Sequence, residues 1–242
     1  MRAALVDYGA GNLRSVERAL DRVGFQPVRV DSPDPLEGAD LVVLPGVGAF
    51  GPAVRRLEEV GFAEVLRGWA AAGKPLLGLC LGMQLLFEYS EEDGLHRGLG
   101  LLPGRVVRLP GSVKVPHMGW NALRLVRPSK VTAHVRSGEY VYFVHSFYVQ
   151  TPAEFVVAEA EYGVRIPAVV EAGPVVAFQF HPEKSGPVGL RLLQGVRDHL
   201  HLRLGKAFGG GHLGACPGKT PPAEGDRGPQ KSPGGPGTGA RA

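Results

Sequence analysis

The chain has 242 residues, of which 44% are hydrophobic and 21% charged, and this composition is typical of a globular protein with a substantial core. Its formal charge of +4 does not indicate a nucleic-acid partner: residues 206–242 hold five basic and two acidic side chains, and in the rest of the chain 22 basic residues face 21 acidic ones. No apolar run approaches the ~18 residues of a membrane helix, and Asp7 interrupts the first apolar stretch before it resembles a signal peptide, so we expect a cytoplasmic protein with no membrane partner.

The first half of the chain alternates short apolar runs with amphipathic ones. Asn12 is a candidate N-cap for a first helix that Gly24 closes. This alternation is typical of a parallel sheet covered by helices on both faces. The predicted strands are 3–6, 40–44 and 75–79, and the predicted helices lie within 50–72, broken near Gly61, and at 81–89.

The second half consists mainly of strand-like segments joined by turns that contain Gly and Pro. They predict antiparallel additions at the edge of the sheet, and a helix at 185–204 closes the domain. The predicted strands of this half are 105–109, 121–126, 139–149, 155–161, 166–171 and 175–180.

The end of the chain differs from the rest. Residues 206–242 include 11 Gly and 6 Pro. The segment has too few large apolar side chains to offset the entropy cost of ordering it. We therefore divide the chain into a domain at 1–204 and a disordered tail at 205–242. Cys216 is expected to be an exposed thiol in this tail, and with only two cysteines in the chain no disulfide framework or thiolate zinc site is predicted.

The most informative motif is Gly-Leu-Cys-Leu-Gly at 78–82, between an apolar strand and a predicted helix. The two glycines let the chain turn sharply and present Cys80, as in the nucleophile elbow of hydrolases. Amides at the start of the following helix favour a thiolate, and the N–H of Leu81 could stabilise an oxyanion. On this motif alone, a tight turn whose cysteine merely packs is an equal alternative.

A nucleophilic cysteine needs a base, because a thiol with a pKa of about 8.5 is little ionised at neutral pH. Of eight histidines, His181 follows a buried strand directly, so its side chain can reach the crevice at the carboxyl ends of the strands. Glu183 could orient its ring through the second nitrogen. The pattern predicts a Cys80–His181–Glu183 triad, whereas an isolated His-x-Glu would more often be a surface turn; His117 and His145 are the other candidate bases.

Five segments, in order between Met1 and about Leu204, resemble the class I glutamine amidotransferases, and among them the glutaminase subunits of imidazole glycerol phosphate synthase. They are Pro-Gly-Val-Gly-Ala-Phe at 45–50, Gly-Leu-Cys-Leu-Gly-Met-Gln at 78–84, His-Met-Gly-Trp-Asn at 117–121, Tyr-Phe-Val-His-Ser-Phe at 142–147 and Phe-Gln-Phe-His-Pro-Glu-Lys-Ser at 178–185. The resemblance implies an α/β, flavodoxin-like fold: an open, mostly parallel sheet with helices on both faces and an antiparallel β extension.

The resemblance also implies an activity. Glutamine is hydrolysed to glutamate and ammonia through a γ-glutamyl thioester, without a metal or another cofactor. The ammonia passes to a (β/α)₈-barrel cyclase partner in a heterodimer, which makes imidazole glycerol phosphate and aminoimidazole carboxamide ribotide in histidine biosynthesis.

The resemblance further assigns roles to individual residues. Val47 and Gly48 would complete the oxyanion hole, and their peptide could rotate because glycines flank Val47; an ordinary Gly-rich turn is the alternative. The expected glutamine contacts are Gln84, Glu92, Tyr142, His145 and Ser146. The expected partner contacts are Gly11, Asn12, Met118, Trp120, Asn121 and Lys184.

Three alternatives stay open at this point. The chain could be another ammonia-donating glutaminase, although the Pro-Gly-Val-Gly-Ala-Phe loop and the Met-Gly-Trp-Asn segment argue against it. It could be a solitary γ-glutamyl hydrolase, or a binding subunit of the same fold that has lost its chemistry. Ammonia release with and without a cyclase separates these possibilities.

Overall fold

The computed structural model describes residues 1–9 and 11–207, and in this part of the chain fourteen strands, five α-helices and three short 3₁₀ helices are formed. The last helix runs past Leu204 to Ala207, so it crosses the predicted domain boundary. The rest of the predicted tail, with Cys216, lies outside the described residues. The strands are β1 (Arg2–Val6), β2 (Gln26–Val30), β3 (Leu41–Leu44), β4 (Leu76–Leu79), β5 (Phe87–Ser90), β6 (His96–Arg97), β7 (Leu102–Arg108), β8 (His117–Ala122), β9 (Arg124–Leu125), β10 (Tyr140–His145), β11 (Phe147–Gln150), β12 (Val156–Glu161), β13 (Arg165–Ala172) and β14 (Val175–Phe178). The helices are α1 (Leu13–Arg22), α2 (Phe50–Val60), α3 (Phe62–Ala71), α4 (Leu81–Leu85) and α5 (Gly186–Ala207).

An eight-stranded sheet forms the centre of the domain, in the order β2-β1-β3-β4-β14-β13-β12-β9. Neighbouring strands from β2 to β14 pair in parallel, and β13, β12 and β9 add to them antiparallel. The expected α/β fold, with a mostly parallel sheet and an antiparallel extension, is confirmed.

Helices cover both faces of this sheet, because successive side chains of each central strand point to opposite faces. Leu41 and Val43 pack in a core with α1 and α5, whereas Val42 and Leu44 pack in a second core with α2 and α3. Gly61, with a φ of 85°, separates α2 from α3, as its position in the sequence predicts.

Two smaller sheets lie beside the central one. A four-stranded sheet has the order β11-β7-β5-β6, and β8 and β10 form an antiparallel two-stranded ribbon. The predicted strand at 139–149 is therefore two strands, broken at Ser146, and they belong to different sheets.

The predicted helix at 81–89 is wrong in length. Helix α4 ends at Leu85, and β5 begins at Phe87. Residues 81–87 are all buried, so their apolar pattern has no periodicity that could distinguish a helix from a strand.

Strand β2 was not predicted because, as an edge strand, it is largely exposed and lacks an apolar run. None of the helices in the described ranges is both long and apolar enough to cross a membrane.

Candidate active site

Cys80 occupies a sharp turn between β4 and α4. Its backbone has φ 53° and ψ −110°, a conformation that L side chains rarely adopt, and its N–H donates to the carbonyl oxygen of Phe178 at 2.7 Å. A Cβ on Gly82 would overlap the carbonyl oxygen of Leu44, and one on Gly78 would come within 2.9 Å of backbone atoms of α4. The two glycines thus allow helix and strand to approach closely enough to hold Cys80 in the turn.

The thiol of Cys80 lies at the start of α4, where the first amides of a helix have no partner within the helix. Leu81 is the first residue of α4, so its N–H is one of these donors and directly follows the nucleophile in the chain. The thiol itself is 3.9 Å from the carbonyl oxygen of Val144, a long and weak contact for its S–H.

His181 and Glu183 form a buried pair just beyond the end of β14. The Nδ1 atom of His181 lies 2.8 Å from Oε1 of Glu183, and the two side chains are 5% and 2% exposed. The N–H of His181 donates to the carbonyl oxygen of Tyr142, and its own carbonyl oxygen accepts from the hydroxyl of Ser185 at 2.6 Å. The backbone bonds hold the residue in place, and the bond from Nδ1 to Glu183 leaves Nε2 as the ring nitrogen not engaged by Glu183.

Burial by itself would lower the pKa of His181, but contact with Cys80 and the hydrogen bond from Nδ1 to Glu183, together with the charges of both groups, outweigh it and raise the pKa to about 9. Nε2 is buried and has no well-aligned hydrogen-bond partner among the described residues. With a pKa of about 9, the imidazole is mostly protonated at neutral pH.

Cys80 and His181 open into one pocket of about 320 Å³. Of the predicted oxyanion and glutamine residues, all but Tyr142 line it. The lining residues are Val47, Gly48, Cys80, Leu81, Gln84, Glu92, Pro116, Val144, His145, Ser146, Phe147 and His181.

The loop before α2 forms one wall of this pocket. Gly48 has a φ of 104°, and a Cβ there would meet no atom within 4 Å, so the space beside its Cα is open. Val47 is 45% exposed, and the loop is held at its end by Oε2 of Glu92, which accepts a hydrogen bond from the N–H of Phe50 at 2.7 Å.

Gln84 is buried one turn into α4. Its Nε2 donates to the carbonyl oxygen of Phe147 at 2.8 Å and to Oε1 of Gln179 at 3.1 Å. Both amide protons are thereby used, so the oxygen of Gln84 is the atom left to accept a hydrogen bond in the pocket.

The structure separates Tyr142 from the other predicted glutamine residues, because side chains alternate along β10. Its ring meets Trp120 edge-on, with 5.9 Å between centroids, and the ammonium group of Lys184 lies 6.0 Å from its centre. His145, on the opposite face of β10, does line the pocket, but both of its ring nitrogens are hydrogen bonded to the protein.

The predicted partner residues, apart from Asn121, fall into two groups. Met118 and Trp120 are 63% and 55% exposed on the outer face of the ribbon β8–β10, near Tyr142 and Lys184. Gly11 and Asn12 line a narrow cleft of about 10 Å³ that also touches Val47, His181 and Glu183. Asn121 differs from both groups, because its side-chain amide donates to the carbonyl oxygen of Glu161 and accepts from the N–H of Ala122.

Sequence reasoning missed Pro116, Val144, Phe147 and Gln179. Only Gln179 left a signal, as a polar residue between two phenylalanines in a buried strand. The others contribute through backbone or apolar surface, which no motif marks. The structure contains no group of three or more His, Cys, Asp or Glu residues suited to a metal ion within its described ranges.

Comparison with known proteins identifies the family of the chain. The pattern of the class-I glutamine amidotransferase family matches residues 4–194. Proteins described as imidazole glycerol phosphate synthase subunit HisH from Carboxydothermus hydrogenoformans and Aquifex aeolicus are each 50% identical to the chain, over 196 and 199 residues. Each alignment covers 81% of this chain, and 98% and 96% of the two relatives.

Solved structures show the same fold. A crystal structure described as a glutamine amidotransferase superposes with a TM-score of 0.65 at 23% identity, covering 83% of this chain and 97% of that one. The structure of PurLQS from Thermotoga maritima gives a TM-score of 0.66 at 25% identity, covering 82% and 98%. The chain belongs to the class-I glutamine amidotransferase family and, within it, to the HisH subunits of imidazole glycerol phosphate synthase.

Proposed function

We propose that this chain hydrolyses glutamine with a Cys80–His181–Glu183 triad and supplies the ammonia to a (β/α)₈-barrel cyclase subunit in a cytoplasmic heterodimer. The partner would use the ammonia to form imidazole glycerol phosphate and aminoimidazole carboxamide ribotide in histidine biosynthesis. The observation that carries this proposal is the shared pocket of Cys80 and His181, with the ring of His181 tied to Glu183. The catalytic domain would span residues 1–204, with 205–242 as a tail outside it.

In the first half of the reaction, the thiolate of Cys80 attacks the side-chain carbonyl carbon of glutamine. His181, protonated because of its raised pKa, gives its proton to the amide nitrogen, and the C–N bond breaks. Ammonia leaves, and a γ-glutamyl thioester is left on Cys80.

In the second half, His181 takes a proton from water and the resulting hydroxide attacks the thioester carbon. The C–S bond breaks, the thiolate of Cys80 is regenerated, and glutamate leaves. Glu183 stays ionised throughout, holds the ring orientation through Nδ1 and stabilises the imidazolium. One glutamine and one water thus give one glutamate and one ammonia, and no cofactor is consumed.

The oxyanion of each tetrahedral intermediate needs preorganised donors. We assign one to the N–H of Leu81 at the start of α4 and the other to the peptide between Val47 and Gly48. The open space around Gly48 supports rotation of this peptide, and partner binding would set which way its N–H points.

Glutamine would be recognised by the oxygen of Gln84, by Glu92 and by Ser146, all of which line the pocket. We keep His145 among the substrate contacts for the surface of its ring, and Tyr142 for support of His181 through its carbonyl oxygen. The exposed face with Met118, Trp120 and Lys184, together with Gly11 and Asn12, is the proposed cyclase interface. Asn121 belongs to this interface through its place on β8.

Ammonia release from glutamine tests the proposal when it is measured for the chain alone, with a barrel cyclase, and with the cyclase and its nucleotide ligand. We expect slow release by the chain alone and strong stimulation by the liganded partner. Full activity without a partner would instead indicate a solitary hydrolase. No activity in any condition, from protein with intact Cys80, would indicate a binding subunit.

A further inference from the structure

Two buried histidines that the proposed reaction does not use face each other across the ribbon β8–β10. His117 and His145 are partners in the register of the two strands, and Nδ1 of His117 lies 3.1 Å from Nε2 of His145. The ring of His117 is stacked between those of Phe143 and Tyr162, at centroid distances of 4.7 and 3.9 Å. His145 lines the pocket of Cys80, so the pair reaches from the ribbon to the active site.

The direction of the hydrogen bond between the two rings is fixed at the His145 end. Nδ1 of His145 lies 2.8 Å from the carbonyl oxygen of Phe147, which can only accept, so Nδ1 carries the proton. In a neutral ring, Nε2 of His145 is then an acceptor. The proton between the rings must come from Nδ1 of His117.

Hydrogen bonds at the His117 end of the pair independently give the same direction. Together these bonds form a hydrogen-bond chain from Asn121 through His117 to His145. Oδ1 of Asn121 accepts from the N–H of Ala122 at 2.8 Å, which identifies the other amide atom as nitrogen. That nitrogen lies 2.9 Å from the carbonyl oxygen of Glu161 and 3.3 Å from Nε2 of His117. Nε2 of His117 is therefore an acceptor, and its proton is on Nδ1.

The two imidazole rings of this hydrogen-bond chain resist protonation. An added proton on either ring would place two donors against each other, because every ring nitrogen is already matched to a donor or an acceptor. Burial also lowers the pKa of His117 to about 4 and that of His145 to about 3, and the nearby charge of His181 adds to the effect on His145. The proton needed by the proposed reaction therefore stays on His181.

The hydrogen-bond chain ends at the carbonyl oxygen of Phe147, which also anchors Gln84. The carbonyl oxygen of Phe147 accepts at 2.8 Å both from Nδ1 of His145 and from Nε2 of Gln84. One continuous path of hydrogen bonds thus runs from Asn121 through both histidines to the amide of Gln84. This path and Gln179 hold the Gln84 nitrogen, which leaves its oxygen as the acceptor for a ligand in the pocket that Gln84 lines.

We propose that His117 is a positioning residue for glutamine binding: by donating Nδ1–H to His145 it fixes the direction of the chain that orients Gln84. This inference rests on the proposed function, because it assigns Gln84 to recognition of glutamine. Without the donor at His117, Nε2 of His145 is left without its partner, and the ring is held only by its bond to the carbonyl oxygen of Phe147. Any shift of the ring is passed through that shared oxygen to Nε2 of Gln84 and loosens the orientation of Gln84.

The first test is the tautomer of each histidine, measured from imidazole ¹⁵N chemical shifts of the full chain at pH 7. We expect both His117 and His145 to carry the proton on Nδ1 and none on Nε2. Asn121→Asp replaces the donor facing His117 by an acceptor of the same size, and it should move the His117 proton to Nε2. A proton on Nε2 of His145 in the wild-type protein would overturn the proposal, as would unchanged tautomers in Asn121→Asp.

The second test is kinetic, in the complex with the cyclase. His117→Phe keeps the stacked ring but removes both hydrogen bonds, and losing an oriented hydrogen bond of ~1 kcal/mol should raise the KM for glutamine by about fivefold while kcat changes less. His117→Asn retains an N–H near the position of Nδ1 and should restore much of the lost affinity. Trp69→Phe serves as the matched control. It removes another buried hydrogen bond, from Nε1 of Trp69 to the carbonyl oxygen of Pro75, on the other side of the sheet.

A purely structural role would make His117→Phe and Trp69→Phe alike, with lower thermal stability and an unchanged KM in both, and this result would overturn the proposal. Asn121→Asp should raise the KM as His117→Phe does, so the kinetic test survives if His117→Phe does not fold. A wild-type complex that releases no ammonia would contradict the proposed function instead. The tautomer measurement, which needs no catalysis, would still decide the direction of the chain.

Discussion

Glu92 accepts a hydrogen bond from the N–H of Phe50, with 2.7 Å between Oε2 and the nitrogen, at the first residue of α2. This bond ties the segment after β5 to the end of the loop that carries Val47 and Gly48. A carboxylate at a helix N-terminus is favoured both by the free amides and by the helix dipole. Glu92 therefore supports the wall of the pocket as well as lining it.

Glu92→Ala is expected to lower kcat/KM for glutamine in the complex by about tenfold or more, because a hydrogen bond to a charged group contributes about 1.5–3 kcal/mol. Glu92→Gln keeps an acceptor oxygen and should retain more activity. Glu59→Ala removes an exposed ion pair with Arg56 on α2 and should leave activity unchanged. Equal activities for all three variants would contradict a supporting role for Glu92.

Gly48→Ala tests the proposed oxyanion loop. A side chain fits there, but φ of 104° is strained for alanine, so the loop should shift away from this conformation at a cost of about 1–2 kcal/mol. We expect a drop in glutaminase kcat with little change in KM. Gly138→Ala, at φ 93° and also in open space, is the control: it should lower thermal stability similarly and leave kcat alone.

Glu183→Gln tests the pairing of the triad through its pH dependence. The carboxylate of Glu183 helps to raise the pKa of His181 to about 9, so its loss must lower that pKa. The alkaline fall in kcat, where His181 loses the proton needed by the leaving ammonia, should move to lower pH, and kcat itself should fall about 100-fold. An alkaline limb that stays in place in a pH–rate profile would separate Glu183 from His181.

The buried rings of His117 and His145 should make the fold sensitive to acid. Their pKa values lie near 4 and 3 in the folded chain but near 6.5 in the unfolded chain, so the unfolded state binds more protons below pH 6.5. Stability should therefore fall as the pH drops from 6.5 towards 4, by up to about 1.4 kcal/mol per pH unit for each ring. Urea unfolding at pH 7.5 and 5 measures this loss, which should be smaller in His117→Phe. An equal loss in that variant would assign the acid sensitivity to other groups.

The sequence was sufficient for the inner parallel strands of the first half, the turn at Cys80 and the neighbourhood of His181, because each depends on local signals. Apolar runs mark β1, β3 and β4, and paired glycines mark the sharp turn. Glu183 follows His181 by two residues, so their contact needed no long-range information.

The parts that were not predicted depend on tertiary packing. The end of α4 at Leu85 and the start of β5 lie inside a continuous buried stretch with no periodicity. The separation of Tyr142 from His145 follows from strand alternation on β10, and a list of motif residues does not carry it. The anchoring of Gln84 to Phe147 joins helix α4 to strand β11 through a backbone oxygen, which leaves no trace in residue type.

The most direct test of the central claim is the synthesis of imidazole glycerol phosphate by the complex of Cys80→Ala with its cyclase partner, supplied either with glutamine or with free ammonia. Loss of the nucleophile should abolish synthesis from glutamine and leave synthesis from ammonia close to that of the wild-type complex. Synthesis from glutamine that persists in Cys80→Ala, or loss of synthesis from both nitrogen sources in a complex that still assembles, would contradict the account.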